Sequence, residues 1–133
     1  MTDGNAVIWK CNDFSIERKM GKAPSTLILK MSGPFTARDM YCKLTPDELK
    51  KVFDLTPMEG GVPVVLNILD LSDVPYMDSM GLGMIVAHHV RCHHREIGMV
   101  AAGVGARVLQ LLKLTRVDRV FPMATTVEEA EAG

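Results

Sequence analysis

The chain has no excess of charge of either sign: over 133 residues, 15 Lys and Arg stand against 16 Asp and Glu. A near-zero balance recommends neither nucleic acid nor an anionic membrane as the main partner, and leaves a protein partner or a small ligand. Cysteine is scarce. Cys11, Cys42 and Cys92 lie far apart, which does not suggest a disulfide framework or a Cys-x-x-Cys metal site and suits a reducing cytoplasm. A basic N-terminal segment followed by an apolar core is lacking, as is any run near the ~18 apolar residues needed to cross a bilayer. Membrane insertion is therefore not expected. No internal repeat or low-complexity linker occurs, so the expectation is one domain over residues 1–133, long enough to bury roughly two thirds of the surface of the unfolded chain. The ten methionines read mainly as core filler.

Residues 6–20 alternate partly between apolar and polar side chains, which predicts one or two short strands near an edge. Gly21 to Ser25 is a turn, and Thr26 to Met31 is a stronger strand stopped by Ser32-Gly33-Pro34. Together they predict an antiparallel pair. The stretch from Phe35 to Leu44 fits a loop or a short helix. Thr45-Pro46-Asp47-Glu48 then offers an N-cap, a proline at the first helical position and the glutamate of a capping box, predicting a helix over about 46–55 with Leu49, Val52 and Phe53 inward. After the turn from Thr56 to Gly61, the run from Val62 to Leu71 reads as a buried strand, broken only by Pro63, Asn67 and Asp70.

A short acidic connection ends in Asp78-Ser79, and a helix follows to about Arg95. Ser favours the position before a helix, so Ser79 is the predicted N-cap, its hydroxyl at a surface helix tip. A helix N-terminus carries partial positive charge and free N–H donors that could stabilise a phosphate on that hydroxyl; the plain alternative is a structural cap. Beyond lie a strand from Gly98 to Gly103, a helix from Ala106 to Lys113 with Val108, Leu111 and Leu112 inward, a short strand around Arg119 to Pro122, and a helix from Thr126 with the capping pattern Thr126-Val127-Glu128-Glu129. Alternation of strand and helix from residue 62 onward requires crossover connections, hence an α/β fold with a largely parallel sheet.

The segment Val64 to Ser72, the corner Met77-Asp78-Ser79-Met80-Gly81-Leu82-Gly83, the run Ala106 to Thr115, then Arg119-Val120-Phe121-Pro122 and Glu128-Glu129-Ala130 together resemble the STAS domain, typified by bacterial anti-sigma factor antagonists. The resemblance covers residues 62–132 well, and the earlier part by element order and by Gly33 closing the second strand. It implies a mixed, mainly parallel sheet flanked by about four helices. It also implies a regulatory protein without catalytic activity or cofactor, whose serine after the aspartate, Ser79, is phosphorylated by a partner anti-sigma factor that is a serine kinase. The unphosphorylated form binds that kinase and frees the sigma factor, and a serine phosphatase resets the switch. The implied partner-binding residues are Asp78, Ser79, Met80, Gly81, Leu82 and Gly83, with a homodimer as a further candidate assembly. Two positions depart from the pattern: Met80 replaces a second serine, and Thr36 stands where phosphorylated members carry an acid three places after Gly33. Those departures favour an alternative, a non-cycling STAS scaffold in a signalling or lipid-transport assembly.

His88, His89, His93 and His94 with Cys92 form the oddest composition on the chain. One-turn pairs, His89 with His93 and His88 with Cys92, could each give two metal ligands, the basis of a metal- or small-ligand-sensor alternative; the simpler expectation is a partly exposed helix face. Asp70, Asp73 and Asp78 lack a nearby base or substrate pocket and read as solvated loop acids rather than an acid/base or Mg²⁺ site. Ser79 lacks the Gly-x-Ser-x-Gly elbow of hydrolases, and Gly81-Leu82-Gly83 lacks the further glycine or Lys-Ser/Thr of phosphate loops. The glycines instead allow a close approach of the helix to the sheet or to a partner.

Overall fold

The computed structural model describes residues 6–40, 52–58 and 62–132, with only the backbone described at residues 6–9 and at Met40. Six strands form one sheet in chain order: β1 (Ala6–Cys11), β2 (Phe14–Met20), β3 (Thr26–Ser32), β4 (Leu66–Asp73), β5 (Gly98–Ala102) and β6 (Met123–Ala124). The first three pair antiparallel and β3 to β6 pair parallel, the mixed and mainly parallel sheet expected. Four helices are described, α1 (Ala37–Met40), α2 (Ser79–His94), α3 (Ala106–Leu114) and α4 (Val127–Ala132).

Alternation along the strands sorts the side chains onto two faces. Phe14, Ile16, Leu27, Leu29, Met31, Leu69 and Leu71 line the main core, where they meet Ile85 and Cys92 of α2 and Val108 and Leu112 of α3. On the other face Ile28, Ile68 and Ala102 meet Ala130 of α4 in a smaller cluster. Each fully buried Leu or Ile stabilises the fold by roughly 1.5–3 kcal/mol, so the main face dominates.

Several boundaries differ from the sequence reading. β4 begins at Leu66 rather than Val62. Pro63 has no N–H to give a ladder, and Val65 is 57% exposed; pairing starts where Leu66 meets Thr26 and Gly98. The strand expected around Arg119 to Pro122 is instead a 3-10 turn over Val117–Arg119, and the ladder forms at Met123 and Ala124. Arg116, left-handed at φ 62°, turns the chain so that Phe121 drops into the core. The undecided stretch after Phe35 contains α1, capped by Thr36, whose hydroxyl accepts from the Asp39 N–H at 3.1 Å. At α4 the Thr126 hydroxyl accepts from Glu129 N–H, as the capping pattern predicts. The helix expected over 46–55, including Thr45, Pro46 and Leu49, lies outside the described residues up to position 51; Val52 and Phe53 form a buried turn. Cys11, buried at the end of β1, is disulfide-bonded, correcting the expectation from cysteine spacing, while Cys92 is a free buried thiol. Sequence separation does not report separation in space. Among the described residues no helix is long and apolar enough to cross a membrane.

Candidate partner-binding site

The corner between β4 and α2 is held by the loop that follows β3. Gly33 N–H donates to Asp73 O at 2.9 Å, Phe35 N–H to Tyr76 O at 3.1 Å and Asp78 N–H to Phe35 O at 3.4 Å, so the two loops run side by side at the C-terminal edge of the parallel strands. Gly33 has φ +92°, and a Cβ there would lie 1.9 Å from Asp13 O; only glycine fits. Phe35 sits beneath the corner with no exposed surface, stacked on Phe14 at 4.7 Å.

Asp78, not Ser79, is the N-cap of α2. One carboxylate oxygen accepts from Gly81 N–H at 3.0 Å, and the other accepts from Ala37 N–H at the start of α1 at 2.9 Å. A single side chain thus satisfies orphan donors of two helices. Asp and Ser are about equally good caps, and the second donor from α1 decides between them. Ser79 moves one place on, to the first helical position. It is exposed, and its hydroxyl makes no hydrogen bond to the described residues.

The six predicted partner-binding residues divide by exposure. Ser79 and Gly83 are exposed, Asp78 and Met80 are half-buried, and Gly81 and Leu82 are buried against the core. A Cβ on Gly81 would sit 2.2 Å from Phe35 O, so this glycine lets the helix start against the loop after β3, where the sequence suggested the sheet or a partner. Asp73 pairs with Lys30 at 3.2 Å, and that hydrogen bond raises the Lys30 pKa. The Arg107 guanidinium lies over the Tyr76 ring at 4.7 Å. At position 36, where the family pattern has an acid, the Thr36 hydroxyl donates to Asp39 Oδ2 at 2.6 Å.

The histidines do not share one environment. His88 is 2% exposed, correcting the expectation of an exposed face: its Nε2–H donates to Asn67 Oδ1 at 2.6 Å, its Nδ1 accepts from Arg91 at 3.1 Å, and its ring stacks on Phe53 at 4.3 Å. Asn67 passes a hydrogen bond on to Leu27 O at 2.9 Å. Burial, reinforced by the adjacent Arg91 charge, pushes the His88 pKa down to about 3; burial also pushes the Cys92 thiol up, against the opposing pull of Arg91 and Arg95. His89 packs near Phe121, whereas His93 and His94 are exposed. Among the described residues no three His, Cys, Asp or Glu side chains converge to hold a metal ion. The inward position of His88 was legible in the spacing Leu82, Ile85, His88, Cys92, which is one helix stripe.

The STAS domain family model matches residues 17–130, and the chain belongs to that family. The anti-sigma-B factor antagonist of Listeria monocytogenes is 30% identical over 77 residues, a stretch that covers 58% of this chain and 65% of that relative. The chain thus spans less than two thirds of that relative's length. Among solved structures, a candidate anti-sigma factor antagonist from Thermotoga maritima superposes with a TM-score of 0.67 at 23% identity, covering 86% of this chain and 90% of that one. A sulfate transporter family protein from Wolinella succinogenes gives 0.64 at 21%, covering 81% and 83%.

Proposed function

We propose that the chain is an anti-sigma factor antagonist that binds a serine-kinase anti-sigma factor through Ser79 and the exposed side of α2, and lets go when Ser79 is phosphorylated. The observation that carries this reading is the division of labour at the corner. Asp78 caps the helix, so Ser79 is exposed with its hydroxyl free of hydrogen bonds to the described residues, and modifying it breaks none of the hydrogen bonds described at the corner. The serine oxygen would attack the terminal phosphate of ATP held by the partner; ADP leaves, and the hydroxyl proton passes to a base on the partner. A phosphatase would return the serine by hydrolysis. Phosphate adds roughly −1.5 to −2 charge beside the half-buried Asp78 carboxylate. The N-terminus of α2 can hold that charge, but a protein docked on the same tip meets repulsion and desolvation. The Listeria relative, an anti-sigma-B factor antagonist, supports the antagonist part of this reading.

The test is incubation of the chain with each kinase-type anti-sigma factor of its genome and Mg-ATP, followed by intact mass and calorimetry. One phosphate on wild type and none on Ser79→Ala is expected, with Ser79→Asp weakening binding at least about tenfold, or about 1.4 kcal/mol. Equal binding of wild type and Ser79→Asp refutes the switch. A second reading, a non-cycling scaffold of a signalling or transport assembly, is favoured by Thr36 and Met80; partner binding with no phosphate transfer selects it.

A further inference from the structure

No described residue requires glycine at position 83. A Cβ there would meet none of the described residues within 4 Å, the residue is exposed, and it lies inside a sixteen-residue helix, where glycine is the poorest residue apart from proline. Gly81, two positions earlier, is glycine because Phe35 leaves no room; Gly83 keeps a patch of helix backbone bare toward the outside. Beside it is a cleft of about 320 Å³ lined by Phe53, Met80, Met84, Ala87, His88 and Arg91. Met80, on its lining, follows Ser79 in the chain. Methionines give such a slot adaptable walls.

Among the described residues, the α2 side of the cleft carries basic and no acidic side chains. No acid occurs on α2 from Ser79 to His94, whereas Arg91 stands in its last turn and Arg95 follows. Among the described residues 52–58 beside α2, Asp54 is the one acid; it already pairs with Arg18 of β2 at 3.7 Å and its side chain accepts from Thr56 N–H at 2.9 Å. His88, on the cleft floor, is held by Asn67 and Arg91. Arg91 donates through Nη2 to both Phe53 O and His88 Nδ1, which fixes the guanidinium while Nε and Nη1 make no hydrogen bond to the described residues. A guanidinium so held presents a ready fork to a carboxylate.

We infer that this cleft receives one large apolar side chain from an acidic helix of the partner, which crosses α2 over the bare backbone at Gly83 and sets a carboxylate on Arg91. The inference rests on the proposed antagonist function and adds the chemistry of the partner: Leu, Met or Phe as the anchor, with Asp or Glu one turn away.

Two substitutions test it without touching Asp78, Ser79 or the core. Gly83→Gln fills the bare patch, and Ala87→Glu narrows the cleft and places an acid one turn from Arg91; both residues are exposed, the first change favours helix, and the second trades the propensity of alanine for an i,i+4 pair with Arg91, so the thermal midpoint is expected to rise for Gly83→Gln and to stay about equal for Ala87→Glu. Each should weaken binding to the anti-sigma factor at least about tenfold. Undiminished binding of both variants, with Ser79→Asp still defective, overturns the cleft and leaves the Ser79 reading standing. If no anti-sigma factor binds the wild type, the function reading fails, and the cleft is judged alone by NMR titration with a stapled acidic helical peptide carrying one central leucine. Saturating shifts at the Met80 and Met84 methyl groups that vanish with the lysine-for-glutamate peptide support the inference. No shifts, or equal shifts with both peptides, overturn it.

Discussion

At the scale of single residues, the polar group that most constrains the core is His88. Both ring nitrogens are engaged while the ring is neutral, so a proton on Nδ1 would have to expel the Arg91 donor and sit beside its charge. Its folded pKa of about 3 lies below the ordinary unfolded value of 6.5. Between those values the unfolded chain binds the extra proton and the folded one does not, so stability is full above pH 6.5 and falls as the pH is lowered. The slope can reach about 1.4 kcal/mol per pH unit, or roughly 2 kcal/mol between pH 6.5 and 5. His88→Gln keeps a donor for Asn67 but does not titrate. Urea midpoints of wild type and variant should therefore converge as the pH falls from 7 to 5; parallel curves would show that His88 does not carry the dependence. Asn67→Leu leaves the His88 Nε2–H buried without an acceptor and should cost about 1–3 kcal/mol at pH 7.

At the scale of elements, the amphipathic and capped pieces were legible and the terminal residues were not. The stripes of α2 and α3 and the alternation of β2 and β3 are local signals, and they placed those elements within a few residues. The cap of α2 was not local. Asp78 and Ser79 compete on equal terms until α1 brings the Ala37 N–H to the second carboxylate oxygen, and α1 was itself undecided from sequence. The start of β4 likewise depends on which residues find partners on β3 and β5, and β6 on where Phe121 finds room. For the site, the corner and the exposed serine were read correctly in place, while the buried pairing of His88 with Asn67 needed the sheet to bring together positions 21 residues apart. The double cap gives an element-scale prediction. Asp78→Ala strips both helix starts of an acceptor and should lower stability by about 1–3 kcal/mol, with faster hydrogen exchange at both the Ala37 and Gly81 amides. Exchange that accelerates at Gly81 alone would mean α1 is held by something else.

At the scale of the whole molecule, the sheet sets what a charge at position 79 can and cannot do. The α1 and α2 starts are fastened by Asp78 and by the paired loops after β3 and β4, and Phe35 beneath them is fully buried. None of those contacts uses the Ser79 side chain. A negative group there gains from the helix dipole, by about 0.3–1 kcal/mol, and loses a comparable amount to the neighbouring Asp78 carboxylate. Ser79→Asp should thus leave the far-ultraviolet circular dichroism unchanged and the unfolding free energy within about 1 kcal/mol of wild type. The same substitution should weaken the partner, and because the two proteins meet at an exposed tip, that penalty should shrink as salt is raised from 0.05 to about 0.5 M. A Ser79→Asp chain that unfolds several degrees lower would instead mean that the charge acts by loosening the corner. The partner would then be sensing a damaged fold, and the loss of binding would persist at high salt.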